Sequence, residues 1–327
     1  MLYKHYEKYL TPQFQLEIHE ETQGRIKTGI LVSPQKKIQI QNYIPRFCGL
    51  EHMTRQHYTQ SFGFQWSRFR TTQLDSKTGL SLSADRVYSC SKWDSNELKG
   101  KTVLDIGCGP GRFTEVLLKA QAQVVSVDAS QAVDVCYENH ACDTLFLMQA
   151  DLFHLPLLKK SFDFVLCYGV LQHTPDPLAA FQVLLKYLKP GGNLSADNYI
   201  YDFFSPFCNP KYFWRPLAKR LNSETLLKII QWYIPKYLPL DTAIRKIPRF
   251  GPRLLSLIPI PCWNYIDKGF SDEERLQWAV LDTFDALSPQ HDIPKTKNEF
   301  VKCCKKLSLA QYEVFYGGNG IVVNVVG

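Results

Sequence analysis

The stretch TVLDIGCGPGRFTEVLLKA, Thr102–Ala120, constrains the fold more than any other part of the chain. TVLDIG (102–107) is an apolar, β-branched run that reads as a buried strand. It passes through Gly107, Gly109 and Gly111 straight into GRFTEVLLKA (111–120), which has the periodicity of a helix. A strand feeding a helix in this way must pack sheet against helix, the unit of an α/β fold. The glycines also let a ligand approach the backbone at a helix N-terminus. The same alternation continues downstream. VVSVD (124–128), LFLMQA (145–150), FDFVLCY (162–168) and NLSADNYI (193–200) read as strands. SQAVDVCYEN, with Ser130 as N-cap, and DPLAAFQVLLKYL (176–188) read as helices, the second ended by Lys189-Pro190-Gly191-Gly192. A helix at 295–307 and a hairpin at 312–326, turning at Gly317–Gly320, close the pattern. The expected architecture is five parallel strands plus a C-terminal hairpin.

The ligand chemistry is legible in the same region. The glycine spacing is G-x-G-x-G, and Arg112 stands where a dinucleotide fingerprint wants Gly or Ala. Asp105 would sit badly beside a pyrophosphate but suits a cationic end. Asp128 follows the second strand, where a carboxylate can accept ribose hydroxyls. Asp151, in QADL, is placed to accept from an adenine amino group. These residue types together call for an adenosine that carries positive charge and no phosphate.

VLDIGCGPG, VVSVDAS, QADLFHLP, FDFVLCYGVLQHTPDP and YLKPGGNL occur in order over residues 100–200. In this the chain resembles the class I S-adenosylmethionine-dependent methyltransferases, of the bacterial small-molecule, methyltransferase-11-like type. The resemblance implies a Rossmann-like seven-stranded sheet whose last strand is antiparallel. It also implies that S-adenosyl-L-methionine, and its product S-adenosyl-L-homocysteine, lie across the carboxyl ends of the first, second and fourth strands. Asp105 and Gly107 would hold the methionine end, with Gly109 and Gly111 completing the loop. Asp128 and Ala129 would meet the ribose, Asp151 and Leu152 the adenine, and Tyr168 would border the site.

Methyl transfer is an in-line displacement, in which positioning can contribute up to ~7–11 kcal/mol and a general base ~10²–10⁴ in rate. His173 is the candidate base, its alternative role being to cap the turn before Pro175 and shape the pocket, and Asp197 is a second catalytic candidate, ahead of Asn198 and Tyr199. Strand alternation points Asp197 and Tyr199 one way and Asn198 the other. Asp282, Asp285, His291 and Asp292 are read first as helix-end and solvated charges, with a grip on an oxygen-rich acceptor and, less favoured, a metal site as the alternatives.

Composition bounds the rest. Of 327 residues 45% are hydrophobic and 21% charged, as in a folded globular protein, and no apolar run approaches the ~18 residues of a membrane span. Ten cysteines form no C-x-x-C pair, which argues against a zinc ribbon and for reduced thiols. MLYKHYEKYLTPQFQ lacks the apolar core of a signal peptide, so a cytoplasmic location is expected. The net charge is +7, and the segment 203–268 alone carries eleven Lys/Arg against three Asp/Glu, with twelve aromatics. That basic, aromatic segment reads either as an ordinary helical lid whose aromatics form its own small core or as an amphipathic cap over an acceptor pocket that meets a lipid-linked or acidic acceptor, with peripheral contact to a membrane.

The expected organisation is an N-terminal extension at 1–56, resembling a β-module that has lost its zinc-ribbon cysteines. An aromatic leader or lid follows at 57–99. The methyltransferase domain spans 100–327, with a helical cap inserted at about 201–280. The function expected is methylation, preferentially on oxygen, of a small-molecule or lipid-linked acceptor. The rival readings are a non-catalytic S-adenosylmethionine-binding protein and a nucleic-acid methyltransferase. The second is disfavoured because no Asn/Asp-Pro-Pro-Tyr/Phe follows the fourth strand and no RNA-binding module is present. Oligomeric state is not legible.

Overall fold

The computed structural model describes residues 2–48, 59–201 and 210–327. Residues 57–58 of the expected leader and 202–209 of the expected cap lie outside the described residues. The chain opens with α1 (Tyr3–Tyr9) and an antiparallel meander of β1 (Gln15–Thr22), β2 (Arg25–Val32), β3 (Lys37–Gln41) and β4 (Ile44–Pro45). The leader supplies α2 (Gln60–Arg68) and α3 (Leu82–Ser91). The alternating core follows: β5 (Thr102–Ile106), α4 (Arg112–Lys119), β6 (Gln123–Asp128), α5 (Ala132–His140), β7 (Leu145–Gln149), β8 (Phe162–Cys167), α6 (Pro177–Leu185) and β9 (Leu188–Tyr199). The cap contributes α7 (Pro210–Ala218), α8 (Ser223–Arg245), α9 (Gly251–Leu257) and α10 (Asp272–Leu287). The chain returns to the sheet through α11 (Lys297–Lys306), β10 (Gln311–Gly317) and β11 (Gly320–Val326).

The large sheet has the order β10-β11-β9-β8-β5-β6-β7. β5 to β9 run parallel, and β11 is antiparallel to both β9 and β10. Every residue of β5 is buried, as in a strand covered by helices on both faces. The chain builds β6 and β7 on one side of β5, then crosses back to place β8 and β9 on the other. In open α/β sheets ligands bind outside the carboxyl ends of the strands at such a reversal.

Two details depart from the sequence reading. α6 ends at Leu185, and Lys189-Pro190-Gly191-Gly192 lies inside β9 rather than between helix and strand. The register with β8 shifts between Phe162 and Phe164, and Gly191 takes φ +74°, a bulge that glycine accommodates without a Cβ clash. The cap also extends past 280: Leu226, Ile230 and Ile234 of α8 pack with Ala279, Phe284 and Leu287 of α10 in one cluster.

The N-terminal meander shares the main core, since Phe14, Ile26 and Leu31 cluster with Leu104, Val125 and Phe146. Phe47 N donates to Gln149 O at 2.7 Å, and Arg46 pairs with Asp134. The meander thereby covers β7, which would otherwise be an open edge strand.

Candidate active site

A cavity of about 480 Å³ opens at the carboxyl ends of β5, β6 and β8, within the ~300–1,000 Å³ range of small-molecule sites. Its floor is the loop Gly107-Cys108-Gly109. Gly107 has φ +74°, and a Cβ there would lie 2.1 Å from Val170 Cγ2; one at Gly109 would lie 3.2 Å from Trp66 Nε1. The absent side chains therefore let the backbone form the floor while α2 and the segment after β8 close over it. Gly111 serves a different purpose. It does not line the cavity, and its Cβ would meet His140 at 2.3 Å, so it permits α4 and α5 to pack closely.

Asp128 stands at the end of β6 with its carboxylate already engaged. Oδ2 accepts from Gly109 N at 3.0 Å, and Oδ1 accepts from Ser130 N at 2.8 Å and Ser130 Oγ at 2.7 Å. Burial raises its pKa against these bonds. Ala129, Asp151, Leu152 and the ring of Tyr168 also line the cavity. Asp151 accepts from Phe153 N at 3.0 Å, capping a single helical turn, and the Tyr168 hydroxyl is turned into the core against Ser195 Oγ at 2.5 Å.

Asp105 does not reach the cavity, which corrects the expectation that it holds a ligand's cationic end. Thr114 Oγ1 donates to its Oδ2 at 2.6 Å and lies 2.9 Å from Ser126 Oγ, so the carboxyl ties β5 to α4 and β6. Burial pushes its pKa up to about 7, against the Thr114 hydrogen bond and with the charge of Asp128 adding to the rise. Asp197 is likewise corrected as a catalytic candidate. It lies one pleat beneath the cavity, ion-paired with Arg86, and accepts from Gly169 N at 2.6 Å. It positions the turn after β8.

His173 does line the cavity, in a helical turn held between the rings of Phe62 (5.1 Å) and Tyr199 (5.6 Å). Its Nδ1 lies 3.0 Å from the His291 carbonyl. A carbonyl only accepts, so Nδ1 carries the hydrogen and Nε2 keeps its lone pair. Burial lowers the imidazole pKa, with Asp285 and the His291 carbonyl opposing the shift. The ring is neutral at pH 7.

On the far wall of the cavity, Asp282 and Asp285 were singled out in the sequence with an acceptor grip as the less favoured reading, and the glutamines that hold them were missed. Asp282 and Asp285 of α10 face the cavity and are held by two glutamines of the leader: Gln65 Nε2 donates to Asp285 Oδ1 at 3.0 Å and Gln73 Nε2 reaches Asp282 Oδ1 at 3.5 Å. The Tyr265 hydroxyl also donates to Asp282. Burial and the neighbouring Asp285 push the Asp282 pKa up to about 7. Their i, i+3 spacing was visible; that they face a cavity rather than solvent depends on where α8 and α2 pack. His291 and Asp292 play supporting parts, the latter pairing with Lys211 at 2.9 Å. Among the described residues no cluster of three metal-ligating side chains occurs.

The donor set suits an adenosyl sulfonium: a glycine floor, carboxylates at Asp128 and Asp151 for hydroxyl and amine hydrogens, and apolar walls at Ile106, Leu152 and Phe153 for a flat ring.

Residues 104–196 match the model of the methyltransferase domain family. A ubiquinone biosynthesis O-methyltransferase from Coxiella burnetii is 37% identical over 100 residues, covering 30% of this chain and 43% of that protein. One from Vibrio cholerae is 33% identical over 141 residues, 42% of this chain and 53% of that protein. The chain thus spans about half the length of the curated relatives it matches. Among solved structures, a SAM-dependent methyltransferase from Aquifex aeolicus aligns with TM-score 0.37 and 15% identity, over 76% of this chain and 95% of that one.

Proposed function

We propose that this chain, whose residues 104–196 are an S-adenosylmethionine-dependent class I methyltransferase domain, transfers a methyl group to a hydroxyl of a small-molecule acceptor with an apolar, lipid-linked part. The observation that carries this reading is the presence, in one cavity, of the Gly107–Gly109 floor, Asp128 and a neutral His173. When bound, S-adenosylmethionine supplies a methyl group on a positively charged sulfur, an electrophile that needs an aligned nucleophile. The chain's part is to align it and to manage one proton. The glycine floor and Asp128 fix the adenosyl end. Nε2 of His173 would accept the hydroxyl proton as the acceptor oxygen takes the methyl group and the sulfur–methyl bond breaks, its electron pair staying on sulfur to leave neutral S-adenosylhomocysteine, while Nδ1–H stays on the His291 carbonyl. Tyr199, Tyr212, Trp263 and Tyr265 offer flat apolar surface to the acceptor. The relatives named as O-methyltransferases support oxygen as the atom methylated.

The test is transfer of labelled methyl from S-adenosylmethionine into an extract of the source cells, split into organic and aqueous phases. Label in the organic phase, absent with Asp128→Ala, is the expected result. Label that is only aqueous removes the lipid-linked acceptor, and no label above the control removes the enzyme reading.

The cap supports contact with a membrane surface. Phe213, Trp232, Phe250 and Leu257 are 61–79% exposed, and α8 also exposes Lys228 and Lys236, with Lys219 and Lys246 exposed just past the ends of α7 and α8. Among the described residues no helix is long and apolar enough to cross a membrane. Exposed aromatics beside lysines suit the interface of an anionic bilayer, where each lysine contributes about 1 kcal/mol. The protein is expected to sediment with phosphatidylglycerol-containing vesicles and much less with phosphatidylcholine alone. Trp232→Ser combined with Leu257→Ser is expected to reduce binding roughly tenfold or more. Equal sedimentation with both vesicle types would remove this contact.

A further inference from the structure

Arg112 opens α4 immediately after the glycine loop and lines the cavity. Its guanidinium is held but not neutralised. Nε donates to Ser83 Oγ at 3.0 Å, and the group lies 5.1 Å from the ring centroid of Phe113 and 5.4 Å from that of Trp278. Among the described residues no carboxylate forms an ion pair with it, and its two terminal amino groups have no hydrogen-bond partner. The other buried cations of the region are paired: Arg86 with Asp197, and Lys211 and Arg215 with Asp292. The acids whose charge reaches Arg112 are engaged elsewhere. Asp75 accepts from Ser83 N and Ala84 N at 2.9 Å each, Asp197 from Arg86, and Asp282 from Tyr265 and Gln73. Burial and the neighbouring Arg86 push the Arg112 pKa down to about 10, which leaves it a cation at neutral pH.

Arg112 is half-buried, so its terminal N–H groups face the cavity and are available to an anion there. The acceptor side of the cavity is walled by Asp282 and Asp285, which disfavours an anionic acceptor there. The amino-acid end of the cofactor carries a carboxylate as well as an ammonium group, and Arg112 lines the cavity together with the Gly107-Cys108-Gly109 floor. We propose that Arg112 binds the α-carboxylate of the cofactor's amino-acid end through its terminal N–H groups, an inference that rests on the S-adenosylmethionine reading above. A planar guanidinium presents two parallel donors to a carboxylate, which a lysine at the same place does not.

The test compares S-adenosylhomocysteine with 5′-methylthioadenosine, which lacks the amino-acid end, by calorimetry on the full chain and on Arg112→Gln and Arg112→Lys. Arg112→Gln is expected to weaken S-adenosylhomocysteine roughly 10- to 100-fold and to leave 5′-methylthioadenosine within about threefold. Arg112→Lys is expected to recover part of the loss. Equal loss for both ligands, or unchanged S-adenosylhomocysteine affinity, overturns the assignment. Thermal melts of the ligand-free variants identify any loss that is merely unfolding, in which case Arg112→Lys alone decides. If the unmutated chain binds neither ligand, the cofactor reading itself falls.

Discussion

Asp128→Asn is expected to weaken S-adenosylhomocysteine binding by roughly 100-fold, the largest single effect on affinity in the molecule. Three of the roughly four acceptor positions of this carboxylate are used by Gly109 N, Ser130 N and Ser130 Oγ. The remaining one, on Oδ2, is what a ribose hydroxyl would meet. Asparagine keeps the shape but replaces one oxygen by an NH₂ donor, which must face either Gly109 N–H or the Ser130 donors. The substitution therefore removes a charged acceptor for the ligand and disturbs the loop that forms the floor. Losing one hydrogen bond to a charged group costs ~1.5–3 kcal/mol, and a factor of ten in affinity is about 1.4 kcal/mol. Calorimetry checks the value, and a dissociation constant within threefold of the unmutated chain would exclude Asp128 from the ligand site.

His173→Gln is expected to lower kcat by ~10²–10⁴ while S-adenosylhomocysteine affinity changes by no more than a few-fold. Glutamine can still donate to the His291 carbonyl, so the turn is kept and the base is lost. The pH dependence has a definite sign. Burial and Arg215 lower the imidazole pKa, whereas Asp285, Asp292 and the His291 carbonyl raise it, with burial dominant. The ring is unprotonated at pH 7, and activity is expected to fall as pH drops through a value below the usual 6.5. The same shift means that the unfolded chain binds the proton more readily. Its stability contribution is thus present above about 6.5 and is lost as pH falls towards the folded value. Methyl transfer to the lipid fraction, followed from pH 5 to 8, checks both statements. A variant that retains a third of the activity, or an acid limb that survives in His173→Gln, would leave the proton transfer to another group. Asp282, held near pH 7 in the same cavity, is the group such a result would point to.

The alternation of strand and helix between residues 100 and 200 was readable because each element carries its own periodicity and its own stop signals. Even so, the Lys189–Gly192 stretch was misread, since a glycine bulge inside a strand and a turn before one use the same residues. Gly107, Gly109, Asp128, Asp151 and His173 were legible as cavity residues because strand ends and loops dictate their position almost locally. Asp105 and Asp197 were not. Both occupy strand positions that alternation alone would permit to face a ligand, and both are turned into the core by partners distant in sequence, Thr114 and Arg86.

The sequence by itself determined the parallel sheet, the glycine floor and the adenosine chemistry at the ends of β5 and β6, since these follow from short-range patterns of side-chain size and charge. Only the tertiary structure decided the acceptor half. Gln65 and Gln73 of the leader and Tyr265, Asp282 and Asp285 of the cap come from segments far apart in the chain. They converge because α8 and α10 bury a shared apolar seam with Phe69. Local sequence records which face of each helix is apolar but not which distant face it will meet, and that pairing is what turned solvated-looking charges into the wall of a cavity.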